Sequence, residues 1–166
     1  MNGAFDPLRS FRTLDAHGVR FVVIGGLAGR LHGSPTVTND LDVCYERSSE
    51  NLERLAAALQ DLGATLRGVE DEGPFRLDAA MLAAGDHFTF VTDAGNLDVL
   101  GSPAGVKGFA ALARSARTFE VDGLTLVVAS IDDLIAMKRA ASRPKDLIEV
   151  EVLAAVKDEA AARDLT

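Results

Sequence analysis

The fold of this chain is decided by residues 19–43, which read VRFVVIGGLAGRLHGSPTVTNDLDV. The β-branched apolar run at 19–26, VRFVVIGG, predicts a buried strand that ends in two glycines. Residues 27–33, LAGRLHG, predict a short helix, because a glycine ends the stretch and a proline soon follows. Residues 39–45, NDLDVCY, predict a second strand. A strand, a short helix and another strand therefore form the start of the fold.

Two aspartates, Asp40 and Asp42, lie in the second of these strands. Successive side chains of a strand point to opposite faces, so residues two apart share a face. Two carboxylates this close repel each other, and the pKa of at least one should rise unless a cation lies between them. The pair therefore marks either a solvated strand end or a metal site.

The glycine pair Gly25-Gly26 directly follows the first strand. Glycine allows a tight turn and a close approach of another group to the backbone. A helix that begins there points free N–H groups outward, which suits a phosphate. An ordinary turn is the alternative, and neither a G-x-G-x-x-G motif nor a Gly-Lys-Ser/Thr motif is present.

A third acidic residue, Asp98, lies between Leu97 and Val99 in the apolar segment GNLDVL. A buried carboxylate without partners would be unfavourable. Mg²⁺ would supply such a partner, because it prefers carboxylates together with substrate phosphates, and two ions about 4 Å apart can activate one oxygen and stabilise another. The alternative is an edge strand on which Asp98 faces solvent.

The rest of the pattern predicts helices around a set of strands. Residues 64–85 have weak periodicity and predict one strand and a mobile loop. Hairpins are predicted at 87–100 and 117–130. Further helices are expected to begin at Asp6-Pro7, at Ser48 or Ser49, near Val106, at Ser130 and at Pro144, the last one running through Val156. This order indicates an α/β fold with a mixed sheet: one domain over residues 1–166, with a core of about 19–129 and C-terminal helices of about 130–166.

The composition excludes several classes of protein. The chain has 166 residues, 48% of them hydrophobic, and a net charge of −8, which disfavours a surface that coats nucleic acid. The one cysteine, Cys44, allows no internal disulfide and no multi-cysteine zinc site, and we expect it to be buried. No apolar run reaches the roughly 20 residues of a membrane span, and no secretory signal is visible, so we expect a cytoplasmic protein without a membrane partner.

Three stretches together resemble the nucleotidyltransferase superfamily, which has the DNA polymerase β-like fold. They are GGLAGRLHGSPTVTNDLDV (25–43), FTFVTDAGNLDVL (88–100) and SIDDLIAMKRAASRPKDLIEVEVL (130–153). The first is similar to the superfamily signature, in which a glycine turn and a short helix precede Asp-x-Asp. The other two are similar to the compact bacterial branch that contains AbiEii-type toxins.

The resemblance implies roles for individual residues. Gly25 and Gly26 match the turn that receives the phosphates of the nucleotide. Asp40, Asp42 and Asp98 match the carboxylates that bind two Mg²⁺ ions, or Mn²⁺ in their place, and the third of them also matches the general base. Lys138 matches a lysine that approaches the triphosphate.

Further cations are candidate contacts to the acceptor or to phosphate. They are Arg30, Arg143 and Lys145. Superfamily members often carry an arginine where this chain has Thr36, and Arg30 is a candidate to compensate for that departure.

The activity implied by the resemblance is Mg²⁺-dependent transfer of a nucleoside monophosphate from an NTP to an acceptor hydroxyl. The acceptor could be a tRNA 3′ end, a protein or a small molecule. A toxin that pairs with an antitoxin protein fits the same resemblance. The alternative is a binding protein that has lost catalysis and acts through a partner.

Overall fold

The computed structural model of this chain describes residues 3–69 and 76–165. Part of the loop predicted between residues 64 and 85, namely 70–75, lies outside the described residues. Across the described residues the chain forms seven helices, which are α1 (Pro7–Ala16), α2 (Gly25–His32), α3 (Ser49–Asp61), α4 (Ala79–Ala84), α5 (Phe109–Ser115), α6 (Ile131–Ala141) and α7 (Pro144–Asp164).

The strands form one mixed sheet. They are β1 (Phe21–Ile24), β2 (Asp40–Tyr45), β3 (Thr65–Leu66), β4 (His87–Thr92), β5 (Gly95–Leu100), β6 (Arg117–Val121) and β7 (Leu124–Val128). Their spatial order is β3-β4-β5-β2-β1-β7-β6. The predicted mixed α/β sheet with flanking helices is therefore confirmed.

The centre of the sheet sets the relative position of residues that are far apart in the chain. Strand β2 runs antiparallel to β1 and parallel to β5. In this register Asp42 lies opposite Ile24 on one side and opposite Asp98 on the other. The same pairing puts Asp40 opposite Asn96.

Side-chain caps fix the starts of several helices where the sequence predicted them. The Asp6 carboxylate accepts a hydrogen bond from the Arg9 N–H, and Pro7 occupies the first turn of α1. The hydroxyls of Ser48 and Ser130 cap α3 and α6 in the same way. These bonds satisfy backbone donors that a helix start leaves without partners.

Three elements differ from the prediction. Helix α2 begins at Gly25 rather than at residue 27, and the short helix α4 lies in the stretch where only a strand and a loop were expected. Helix α7 continues to Asp164 instead of ending at Val156. Val156 is the last buried residue of α7, so the apolar pattern ends there, whereas Ala, Glu, Lys and Arg beyond it favour a helix by propensity alone.

The core lies between the sheet and the helices. Cys44 is fully buried, as expected, and burial raises the pKa of its thiol to about 12. Within the described ranges every helix is too short or too polar to cross a membrane. The largest fully buried side chains include Tyr45, Phe90, Leu55, Leu97 and Leu134.

Candidate active site

The three aspartates singled out in the sequence lie on neighbouring strands. Asp42 and Asp98 occupy paired positions of β2 and β5, so their side chains lie on the same face of the sheet as neighbours. Asp40 accepts a hydrogen bond from the Asn96 side-chain amide at 2.9 Å. The close carboxyl pair is therefore Asp42 with Asp98, and Asp40 is held beside it by Asn96.

The electrostatics of the pair follow from burial and like charge. The pKa of Asp42 is raised to about 7, with burial as the largest cause and the neighbouring charges of Asp98 and Asp40 as further causes. The positive charge of Lys138 acts in the opposite direction. Burial and a neighbouring carboxylate both favour the protonated form of a carboxyl, whereas a cation beside it favours the ionised form.

The donor set fits a hard divalent cation. Among residues 3–69 and 76–165, no three His, Cys, Asp or Glu side chains form a group arranged to hold a metal ion. Mg²⁺ is commonly bound by only one or two carboxylates, with substrate phosphates completing its shell. The oxygens of Asp42 and Asp98 supply that number, and a cation between them would relieve the repulsion that raises the pKa of Asp42.

Gly25 allows the backbone to approach this pair. Its φ angle is +72°, and a Cβ atom at this position would lie 2.2 Å from Oδ2 of Asp42. The residue before it, Ile24, makes no side-chain cap to α2, so the first N–H groups of the helix keep no capping side chain. Gly26 is similarly tight, because its Cβ would lie 3.0 Å from Cβ of Thr38. Both glycines thus serve a close approach of backbone to side chain.

A cavity of about 350 Å³ opens next to the carboxyl pair. Gly25, Asp42 and Asp98 line it from the sheet side, and Lys138 lines it from α6. Leu134 and Met137 of the same helix add apolar wall. The cavity therefore combines acidic groups, cations and an apolar surface, as ligand sites usually do.

Lys138 and Arg143 share a buried acidic partner. Lys138 Nζ lies 3.5 Å from Oδ1 of Asp146, and Arg143 Nε donates to Oδ2 of Asp146 at 2.6 Å. The hydrogen bond from Arg143 is the main reason that the pKa of Asp146 is lowered. Two cations against one carboxylate leave positive charge at this wall, and Arg143 also lines the cavity.

Arg30 and Lys145 are exposed and do not belong to the cavity lining. Arg30 instead donates to the backbone oxygens of Pro35 and Thr36, at 3.3 and 3.2 Å. It fastens the segment between α2 and β2, so it contacts the Thr36 backbone without replacing an arginine side chain there.

The Thr36 side chain has a structural partner. Its hydroxyl donates to Oε2 of Glu149 at 2.6 Å, and the Ser34 hydroxyl donates to Oε1 of the same residue at 3.0 Å. Glu149 is buried in α7. The segment that leads into β2 is thereby tied to the last helix.

Sequence reasoning missed Arg67, which follows β3 and reaches the site from the sheet edge. Its Nη2 donates to Oδ1 of Asp98 at 2.8 Å. The local pattern around Arg67 is weak, so no signal in the sequence pointed to it. Asn96, also missed, was recognisable because it lies two residues before Asp98 and shares its face.

No family model matches this chain, and neither does any curated protein. Solved structures do match it across nearly the whole chain. The lincosamide antibiotic adenylyltransferase LnuA with bound lincomycin superposes with a TM-score of 0.60 at 12% identity, covering 93% of this chain and 99% of that one. ANT(2″)-Ia in complex with adenylyl-2″-tobramycin gives 0.54 at 17% identity, covering 96% and 91%.

A third match is a Thermotoga maritima protein provisionally identified as a nucleotidyltransferase. It gives a TM-score of 0.54 at 16% identity and covers 92% of this chain and 91% of that one. The chain therefore has the nucleotidyltransferase fold, as the sequence resemblance implied. The AbiEii-type branch stays a prediction.

Proposed function

We propose that this chain is a nucleotidyltransferase that moves a nucleoside monophosphate from an NTP to an acceptor hydroxyl and releases pyrophosphate. The observation that carries the proposal is the carboxyl pair Asp42–Asp98, in register on β2 and β5, beside Gly25 and a cavity that Lys138 also lines. Two close carboxylates next to a cation and free helix N–H groups suit a substrate that brings phosphates and a metal together.

The cationic and the acidic residues of the site have different proposed roles. Lys138 and the N–H groups at the start of α2 would bind the triphosphate, since both favour anions. Asp42 and Asp98 would hold Mg²⁺, or Mn²⁺ in its place, with Asp40 beside them as the third candidate carboxylate, and the bound ion would neutralise charge that develops on the transferred group. Asp98 would also accept the proton of the acceptor hydroxyl. Leu134 and Met137 would exclude water from one side of the nucleotide.

Arg143 belongs to the same proposal as a phosphate or acceptor contact, because it lines the cavity beside Lys138. Arg30 and Lys145 are weaker candidates, because they are exposed outside the lining of the cavity. They would meet only an acceptor large enough to extend beyond it, such as an RNA end.

The acceptor class is open within this proposal. One of the matched structures is a lincosamide antibiotic adenylyltransferase with bound lincomycin. Another, ANT(2″)-Ia, is in complex with adenylyl-2″-tobramycin. A small molecule, an RNA 3′ end or a protein hydroxyl would each fit a transferase of this fold. The toxin role, with an antitoxin protein as partner, remains a prediction from the sequence resemblance.

The test is a labelling screen. Purified protein is incubated with each α-labelled NTP and Mg²⁺ in the presence of total cellular RNA, total protein or a panel of aminoglycosides and lincosamides. We expect label in one acceptor class, and none when Asp42→Asn replaces the wild type. Asp158→Asn, which changes an exposed carboxylate of α7, is the matched control and should label normally.

Two results would contradict the proposal. Wild-type-like labelling by Asp42→Asn would remove the carboxyl pair from the reaction. No labelling by the wild type, together with no thermal stabilisation by any NTP and Mg²⁺, would favour the alternative, a binding protein that keeps the fold without catalysis.

A further inference from the structure

Arg67 makes an unusual connection across the sheet. It follows the two-residue edge strand β3, and its backbone N–H donates to the Thr89 carbonyl of β4 at 2.9 Å. Its guanidinium continues past β4 to β5, where Nη2 donates to Oδ1 of Asp98 at 2.8 Å and to the Phe90 carbonyl at 3.1 Å. The side chain is only 31% exposed, and that of Asp98 is 17% exposed.

This position leaves one donor of Arg67 unsatisfied. Its Nε is buried and has no hydrogen-bond partner within the described part of the chain. A buried donor without an acceptor disfavours the conformation that contains it. Among the described residues, the guanidinium thus keeps Nη2 on the Asp98 carboxylate while its Nε has no acceptor.

Asp98 needs such a partner because its other neighbour is acidic. Asp42 lies beside it in the register of β2 and β5, and two neighbouring carboxylates repel each other when both are ionised. Arg67 holds Oδ1 from the β4 side, and Nη2 is itself fixed by the Phe90 carbonyl. Oδ1 of the carboxylate is thus held by a donor that is itself fixed, while Asp98 also lines the cavity.

We infer that Arg67 is a positioning residue that fixes the orientation of the Asp98 carboxylate for transfer. The inference rests on the proposed function, in which Asp98 accepts the acceptor proton and binds the metal. Arg67 is absent from the lining of the cavity, so it acts through Asp98 and not on the nucleotide directly. A planar guanidinium suits this role better than the point charge of a lysine.

The test compares Arg67→Ala and Arg67→Lys with Arg47→Ala. Arg47 is a matched control, since it is 35% exposed and binds a carboxylate, that of Asp86, together with the backbone oxygens of Ala83 and Gly85. With the acceptor found in the labelling screen, we expect Arg67→Ala to lower kcat by about 10- to 100-fold, as loss of such outer partners usually does. KM for the NTP should stay within about twofold, because Arg67 does not line the cavity and its loss removes no contact to the bound NTP.

Chemical rescue separates positioning from a merely structural role. Guanidinium ion at low millimolar concentration should restore part of the activity of Arg67→Ala, and Arg67→Lys should retain an intermediate kcat. The inference is overturned if Arg67→Ala matches Arg47→Ala in kcat. It is also overturned if the loss follows a lower thermal midpoint and neither guanidinium nor lysine restores activity.

Crystal structures of the variants test directly whether Arg67 fixes the orientation of the Asp98 carboxylate, without an activity assay. In Arg67→Ala the Asp98 carboxyl should leave the orientation that it has in the wild type, whereas in Arg47→Ala it should keep that orientation. An unmoved Asp98 carboxyl in Arg67→Ala overturns the inference whatever the activity. A wild type that labels no acceptor would instead contradict the proposed function, so the two failures are distinguishable.

Discussion

Gly25 leaves no room for a side chain beside the Asp42 carboxylate. Its backbone has a positive φ and packs directly against the Asp42 carboxylate. A side chain at this position would strain the backbone, because φ is positive, and it would also displace the Asp42 carboxylate. The two effects can be measured separately.

Gly25→Ala should therefore abolish the stabilisation by NTP and Mg²⁺ and lower the free energy of unfolding by roughly 1–3 kcal/mol, the usual cost of a strained φ. Gly123→Ala is the control: φ is +81° there, but no atom lies within 4 Å of the added Cβ. Thermal shift with and without Mg²⁺ and ATP measures both effects. If the two variants respond equally to the ligand, the contact with Asp42 has no functional weight.

The raised pKa of Asp42 predicts a pH dependence of stability. Its folded pKa of about 7 lies above the ordinary value of 3.8, so the folded chain keeps a proton that the unfolded chain releases. The free energy of unfolding should fall as pH rises through this window, and Asp42→Asn should remove that part of the decline. Denaturant titrations from pH 4 to 8 measure the difference between the two proteins.

The same titration should affect metal binding. Mg²⁺ competes with the proton of Asp42, so Mg²⁺ should stabilise the protein more above a pH of about 7 than near pH 5. An Mg²⁺ effect that is independent of pH would argue against binding at the pair.

At the scale of elements, α6 and α7 deliver cations to a site that otherwise belongs to the sheet. Lys138 lies in the last turn of α6, and Asp146 of α7 holds it at 3.5 Å. Because its side chain is 26% exposed and lines the cavity, Lys138 keeps room for a second anionic partner.

Lys138→Ala should raise KM for the NTP by about tenfold or more, since an anion loses a charged partner in a partly buried site. Arg139→Ala removes the neighbouring cation, which is exposed and outside the cavity, and should leave KM unchanged. Steady-state kinetics on the identified acceptor distinguish the two. Equal effects of both variants would mean that only the general charge of α6 matters.

For the whole molecule, we expect residues 1–166 to fold as one cooperative unit. Helix α7 buries Val150, Leu153 and Val156, and Glu149 ties it to the segment before β2. The C-terminal helices are thus packed against the core on which the site is built.

The chain contains no tryptophan and one tyrosine, Tyr45, which is fully buried at the end of β2. Its fluorescence therefore reports on the centre of the sheet, while far-UV circular dichroism reports mainly on the helices. Both probes should give one coincident transition in urea, as a single domain usually does. An earlier helical transition would show that α6 and α7 unfold separately.

Much of this architecture is readable from local patterns. Alternating and β-branched apolar runs gave β1, β2 and both hairpins, and capping residues such as Asp6, Ser48 and Ser130 gave the helix starts. Strand geometry alone put Asp40 and Asp42 on one face, because residues two apart always share it. Where the local signal was weak, as before Asp78, the short helix α4 was missed.

The sequence by itself determined most of the elements, though not α4, and it marked Gly25, Asp42 and Asp98 as candidates for one site. Only the tertiary structure decided that Asp42 lies opposite Asp98, while Asp40 accepts a hydrogen bond from Asn96. It alone also revealed that Arg67 reaches Asp98 and that Thr36 is bonded to Glu149. The physical reason is that periodicity and capping act within a few residues, whereas strand register and contacts between distant segments depend on how the whole sheet and its helices pack.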